Sequence, residues 1–526
     1  MFIFISFGKR VIIKALSEVF SRIHRKIKVL RKNEIFFLKT NLESYDRSFG
    51  DKVSKRKLLL EYFVENTQFD PKLAIKHVYG KESIGVETLR GLAKSLEMKI
   101  DEALISDINV RRKNANDNFA VNVIQTRKDI IAMLVYLGRG LTKDGLVLME
   151  NIIYRCKKFE LYDELTQVLF YKKELSFLKR GSKDFEKANL ELQNVLDLKS
   201  NIITISDYYQ RLNIRDSEII GYKPDMNELN LKLIEFEKIV NNSNSYSLAF
   251  PYYKLKIYQS EKLEKYDEAI LVCNKWRKHL LIKKEMARDV TVGMVYNNLA
   301  NLHLLQFDFE KALKSGDDAL NLLRPKTFSY FTAVETMFYA SFYLGKKIKT
   351  AEYLEYLKLD KSHESQIKRN KIKYFEIAYE VFFGKSKSSL KWFSEIEELD
   401  NDLEGWNFWI RVTQVIASYK SNGDLEILHS HIDSLRQFVG RVDRKKAFNE
   451  RHKIIYKILF KLEYAAFDFN KAYKRCEKEL NILENLNDKK TRWRARTPEI
   501  KPFHEWFKEE MEEQKNQKIS GKVVKR

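Results

Sequence analysis

A pentad of aromatic, polar, polar, alanine and a fifth, usually apolar, residue recurs along this chain. It reads Phe185-Glu186-Lys187-Ala188-Asn189, Tyr266-Asp267-Glu268-Ala269-Ile270, Phe309-Glu310-Lys311-Ala312-Leu313 and Phe469-Asn470-Lys471-Ala472-Tyr473, with a fainter copy at Ile348-Lys349-Thr350-Ala351-Glu352. Successive starts lie 81, 43, 39 and 121 residues apart, which a unit of about forty residues divides into two, one, one and three steps. An alanine at one fixed place in each unit marks where two rods cross closely, and the aromatic fills the space beside the crossing.

Helix breakers are scarce. Six prolines and eighteen glycines in 526 residues are less than half the usual share of roughly 12%, so sandwiches, barrels and propellers, which need frequent Gly/Pro turns, are excluded. Hydrophobic residues at 44% and aromatics at 13% exclude a largely disordered chain. Three isolated cysteines, Cys156, Cys273 and Cys476, form no CxxC or metal-ligand spacing and read as reduced core residues. The apolar start Met1–Phe7 is broken by Gly8-Lys9-Arg10; neither a secretory signal nor a membrane span is read, and the expected location is the cytoplasm.

The net charge is +23, and residues 1–60 hold fifteen basic and five acidic residues. Between Val11 and Leu30, apolar residues Ile12, Leu16, Val19, Phe20, Ile23, Ile27 and Leu30 recur at helical steps, with Arg22, Arg25 and Lys26 among the other positions. Such a helix docks its apolar stripe on a neighbour, contacts nucleic acid or lies on an anionic membrane; docking is the expected outcome. Asp70-Pro71 then announces a helix start, ending near Gly80. A second helix carries Leu89, Leu92, Ala93, Leu96, Ile100 and Leu104 on one stripe. Two helices with a short turn are compatible with helix-turn-helix geometry, so Arg90, Lys94 and Lys99 join Arg22, Arg25 and Lys26 as candidate nucleic-acid contacts.

Residues 107–122 are polar and Asn-rich and are expected to form a loop or a poorly packed helix end. The organisation expected is therefore a basic amphipathic region over 1–50, a helical region over 51–122, a helical array over 123–488 and a basic C-terminal segment over 489–526. That last segment, with Arg492-Trp493-Arg494-Ala495-Arg496, Pro498 and Pro502, is expected to pass extended over the preceding helices, anchored by Trp493 and Trp506, and to end in a frayed tail. Alternating arginines about one tryptophan also fit single-stranded nucleic acid, but a single stacking platform is too little for that reading.

The stretch from Gly293 to Pro325 is the fullest repeat: Tyr296, Leu299, Ala300 and His303 lie on a first helix, Phe309 follows the turn, and Ala312, Ala319 and Leu320 lie on a second. In this it resembles the tetratricopeptide repeat family, with His303 in place of an aromatic and Gly316 where a bulky residue is usual. The resemblance implies an all-α superhelix, a solenoid of stacked antiparallel helix pairs with an additional N-terminal helical region. It also implies a groove, lined by first helices, that holds a protein or peptide. Asn297, Asn298 and Asn301 are the candidate groove residues, since amides both donate to and accept from an extended backbone.

Catalytic patterns are absent from the sequence. Gly80–Gly85 lacks the Lys-Ser/Thr of a phosphate loop, no GxSxG, HExxH or CxxC occurs, and His429 and His431 stand two apart on a helix, pointing away from each other. The acidic run from Glu395 to Glu404 is expected to be a solvated face, and Trp392, Trp406 and Trp409 core. No cofactor, metal site or enzymatic activity is read. The leading expectation is an interaction scaffold; the alternative is a regulator with a DNA-contacting N-terminal region and a repeat array as sensor.

Overall fold

The computed structural model describes residues 19–28, 30, 32–48, 54–66, 69–80, 86–106, 118–178, 182–218, 224–359, 366–384, 386–399, 402, 404–421, 425–443 and 449–519. Two compact units divide the chain, Met1–Asn116 and Asp117–Arg526. Among the described residues every regular element is a helix.

The first unit contains α1 (19–28), α2 (Lys32–Ser48), α3 (Lys55–Glu65), α4 (Pro71–Tyr79) and α5 (Val86–Ser106). The Asp70 side chain accepts from the backbone amides of Lys72 and Leu73, and Gly80 closes α4 at φ 69°, the left-handed conformation that glycine adopts without a Cβ penalty. The expected apolar stripes form the core: Val19, Phe20, Ile23, Ile27 and Leu30 pack with Leu59, Leu60, Phe63, Leu89, Ala93, Leu96 and Ile100. Segments on both sides of residue 50 thus share one interior. The beginning of the basic helix, residues 11–18, lies outside the described residues.

Of the stretch 107–122, the described part is a partly buried helix end. Residues 118–122 are the first turns of α6 (Asn118–Gly138), while 107–117 lie outside the described residues. There follow α7 (Thr142–Lys158), α8 (Tyr162–Leu178), the long α9 (Ser182–Glu218), α10 (Met226–Asn241), α11 (Tyr246–Lys262), α12 (Tyr266–Ile282), α13 (Asp289–Leu305) and α14 (Phe309–Leu322). The remainder is α15 (Phe328–Tyr343), α16 (Lys347–Lys358), α17 (Gln366–Phe383), α18 (Ser386–Ser389), α19 (Trp406–Lys420), α20 (Leu425–Asp443), α21 (Glu450–Tyr464), α22 (Phe469–Glu484) and α23 (Phe503–Ile519). Consecutive helices pack as hairpins, notably α11 with α12, α13 with α14, α15 with α16 and α21 with α22, while α13 also touches α15 and α17 touches α19. This is a tetratricopeptide-like array of helix pairs, each burying its apolar side against the next.

Three of the five pentads open second helices, and the copy at Phe185 begins at the fourth residue of α9. Tyr266, Phe309 and Phe469 are the first residues of α12, α14 and α22, and Ala269, Ala312 and Ala472 are fully buried one turn later. The faint fifth copy is out of register by one residue. Helix α16 starts at Lys347, so the fully buried Thr350 takes the alanine's place, its hydroxyl 3.0 Å from that of Ser341, while Ile348 is exposed. Gly316, an exception to the family pattern, is explained by α15: a Cβ there would collide with the Met337 side chain, which fills the space a bulky residue would use.

A recurring turn precedes α7, α8, α12, α14 and α16. Gly140, Glu160, Glu264, Phe307 and Gly345 all have positive φ. In each case the next residue's amide donates to the carbonyl five residues back, as from Lys265 to Ser260 at 2.8 Å and from Asp308 to His303 at 2.9 Å. This closure satisfies carbonyls left over at the helix end. Three of the five positions are not glycine, and each bears a left-handed cost of about 1–2 kcal/mol that neighbouring contacts hold in place. Glu160 shows how: its carboxylate accepts from the Ser245 hydroxyl and from the amides of Tyr246 and Ser247 at 3.0, 2.9 and 2.7 Å, capping α11 from a different hairpin.

Candidate functional site

The site is built where the C-terminal segment crosses the first helices of successive pairs. Glu264, in the α11–α12 turn, pairs with both Arg492 and Arg494, the latter at 2.8 Å. The Trp493 ring stacks on Phe307 of the α13–α14 turn at 5.2 Å between centroids and meets Tyr343, the last residue of α15, edge-on at 5.0 Å. Arg496 reaches Asn301 of α13 at 2.6 Å and Glu335 of α15 at 3.3 Å, and its amide donates to the Tyr343 hydroxyl at 3.1 Å. Asn301 in turn donates to Glu261 of α11 at 2.9 Å, and Lys371 of α17 pairs with Glu335 at 2.7 Å.

Charge is concentrated on this face. Burial works to raise the Glu335 carboxyl, yet the Lys371 ammonium and Arg496 guanidinium outweigh it and hold the group down at about 2. Glu261 goes the other way: its burial dominates the pull of Arg496 and Asn301, and its pKa is raised. Burial also pushes up the Tyr339 and Tyr343 phenols. Two buried polar atoms on the same helices, Asn297 Oδ1 and Tyr339 Oη, have no hydrogen-bond partner. Beside the segment lies an open cavity of about 390 Å³ lined by Glu264, Tyr266, Phe307, Asp308, Arg492 and Trp493 among others.

Beyond Arg496 the segment enters the interior. The Tyr374 hydroxyl of α17 donates to the Pro498 carbonyl at 2.8 Å. Arg451 of α21 grips the Glu499 carboxylate through two nitrogens, and its guanidinium also reaches the carbonyls of Leu483 and Thr491. As far as residue 519 the chain is helix and not a frayed tail: Phe503, Trp506 and Phe507 of α23 are almost fully buried, and Trp506 and Phe507 pack on Phe469 of α22. Prolines and charge hid this because the apolar residues are clustered at the helix start, where a hydrophobic stripe is too short to read.

The asparagines predicted to line a groove have different surroundings. Asn301 is buried in the network with Arg496 and Glu261, Asn298 donates to the Met294 carbonyl of its own helix at 2.8 Å, and the Asn297 oxygen is buried. Sequence reasoning missed Glu261, Glu264, Glu335, Lys371 and Tyr343. The one signal pointing to them was the alternation of arginines about Trp493, which calls for carboxylates and rings opposite.

In the first unit, Arg22 and Lys26 pair with Glu97 at 3.1 and 3.0 Å, and Lys26 also pairs with Asp101 at 2.8 Å. The Arg22 hydrogen bond is the largest influence lowering the Glu97 carboxyl. Arg25 donates to Ser21, Arg90 lies 3.6 Å from Glu87, Lys99 pairs with Glu102, and Lys94 is exposed.

Motifs considered for chemistry serve packing. His429 faces Glu463 and His431 faces Ser418, so the two histidines share no ligand. The Ser418–His431 contact at 2.6 Å resembles a nucleophile with its base, but Ser418 is buried and also lies 2.9 Å from the Gln414 carbonyl, which makes it a tie between α19 and α20. Trp406 and Trp409 are core. Within the acidic run, Glu395 and Glu398 are paired with Lys373 and with Arg411, and Asp402 accepts from the backbone amides of Gly405 and Asn407. Among the described residues no group of three or more potential metal ligands occurs, and no helix is long and apolar enough to cross a membrane.

No protein-family model and no curated relative matches the chain. Among solved structures it is similar to a signal transduction ATPase with numerous domains bearing a tetratricopeptide repeat sensor, from Pyrococcus horikoshii. Identity is 14%, over 82% of this chain and 74% of that one, with a TM-score of 0.35. It is also similar to the tetratricopeptide repeat domain of P58(IPK), at 12% identity over 76% of this chain and all of that one (100%), with a TM-score of 0.21.

Proposed function

We propose that the second unit is a non-catalytic interaction scaffold that binds a protein or peptide partner along the face of its first helices. The supporting observation is that α11, α13, α15 and α17 place Glu261, Asn301, Glu335 and Lys371 in one network around Arg496 of a non-helical stretch of chain. A face that holds one non-helical segment by side-chain and backbone contacts has the chemistry to hold another. The buried free thiols of Cys156, Cys273 and Cys476 accord with a cytoplasmic setting.

The test is site-specific photo-crosslinking of the full chain in its native host. A photoreactive residue at Asn298, on α13, should form adducts with a partner, whereas one at the exposed Ile348 on α16 should form few. Equal yields at both positions, or none at Asn298, overturn the reading.

A further inference from the structure

The C-terminal segment is held in two different ways. Its later part is dry: Glu499 is locked by Arg451, and Phe503, Trp506 and Phe507 are almost fully buried. In its earlier part buried and exposed side chains alternate: Arg494 is half exposed and Arg492 and Arg496 partly so, while Thr491, Trp493 and Ala495 between them are buried. Arg496 also sits at φ 62°, a conformation unfavourable for any residue with a Cβ. The three arginine contacts are therefore the more solvent-accessible part of the hold on this segment, while α23 keeps the chain attached nearby.

What they cover is specific. Lifting them would leave Glu264 without its two arginines and Glu335 with Lys371 alone, and would open the slot between Phe307 and Tyr343. Asn297 Oδ1 and Tyr339 Oη, already without partners, lie on α13 and α15, one turn from Asn301 and Glu335. Carboxylates flanking an aromatic slot match arginine better than lysine, since the guanidinium is planar, stacks on rings and donates in a fork.

From this contrast we infer that residues 491–497 are a built-in pseudo-ligand, and that the face beneath them receives a partner's non-helical segment with arginines at alternate positions about an aromatic residue. This deepens the scaffold reading and rests on it. A tethered segment competes at an effective concentration of ~mM, so the intact chain is masked and a partner must displace its own strap.

The probe is a fluorescein-labelled peptide of residues 489–499, titrated by anisotropy against the full chain. The Arg492→Ala/Arg494→Ala/Arg496→Ala variant should bind it at least about tenfold more tightly than the natural chain. Adding Glu264→Gln and Glu335→Gln should abolish that gain, and a peptide with lysine for every arginine should bind more weakly. If the triple variant does not keep its helical signal, Arg492→Ala/Arg494→Ala, which leaves Arg496 in place, is titrated instead with the same expectation. Equal binding by the masked and unmasked chains, indifference to the glutamate changes, or an equally bound lysine peptide overturns the inference. Failure of the peptide while crosslinks still map to Asn298 sinks the pseudo-ligand alone; loss of both sinks the scaffold reading as well.

Discussion

Basic residues near the two ends of the chain meet carboxylates in contrasting ways. In the first unit Arg22 and Lys26 reach Glu97 and Asp101 from partly exposed positions, 75 residues apart in sequence, on helices whose apolar sides already pack together. In the second unit Arg451 meets Glu499 inside the interior, while Arg492 and Arg496 meet Glu264 and Glu335 at its edge, and the Arg492 pair spans 228 residues. Exposed pairs decorate a fold that apolar packing has already made, and water and salt weaken them. A fully enclosed pair such as Arg451–Glu499 has lost its solvation and its members depend on each other, so it fixes where its segment lies.

The contrast breaks most sharply at Arg451. Arg451→Ala leaves Glu499 buried without its partner and should cost about 3–5 kcal/mol in urea unfolding; a loss below about 1 kcal/mol would put this pair in the same class as Arg22–Glu97. Next comes Glu335→Gln, expected to cost about 1.5–3 kcal/mol through lost charge-assisted bonds. Because the folded carboxyl is held at about 2 against an ordinary 4.5, its contribution is present above about pH 4.5 and lost as pH falls toward 2. Unfolding midpoints measured across that window should drop in the natural chain, and the glutamine variant should lack this part of the drop.

Smaller effects sharpen the comparison from outside the ion pairs. Gly316→Val should cost about 1–3 kcal/mol, because Met337 must move or strain; an unchanged melting curve would show that α14 and α15 are not closely packed there. Arg22→Ala with Lys26→Ala should cost only about 0–1 kcal/mol, with the difference fading in molar salt. If the first unit instead contacts nucleic acid through Arg22, Arg25, Lys26, Arg90 or Lys94, binding of duplex DNA must fall steeply with salt. Binding that ignores ionic strength removes that alternative.

Helix identity and the repeat were legible because their signals are local. Asp70-Pro71 caps α4 within three residues, and the pentads Tyr266–Ile270 and Phe309–Leu313 open helices whose alanines are buried one turn on. Turn chemistry was harder to see, since Glu264 and Phe307 adopt a left-handed backbone that glycine usually signals. Thr350 shows the same limit: only packing against Ser341 reveals that it, and not Ala351, takes the small residue's place.

The amino-acid order alone settled that this chain forms paired helices and roughly where the pairs begin, because periodicity, capping and small-residue spacing act over a few turns. Folding in three dimensions decided which charges face one another. Arg496 lies 161 residues from Glu335 and 195 from Asn301, and nothing in the intervening sequence records that meeting. Enclosure then sets the strength of those contacts, since a carboxylate and a guanidinium shielded from water attract far more than the same pair on the surface.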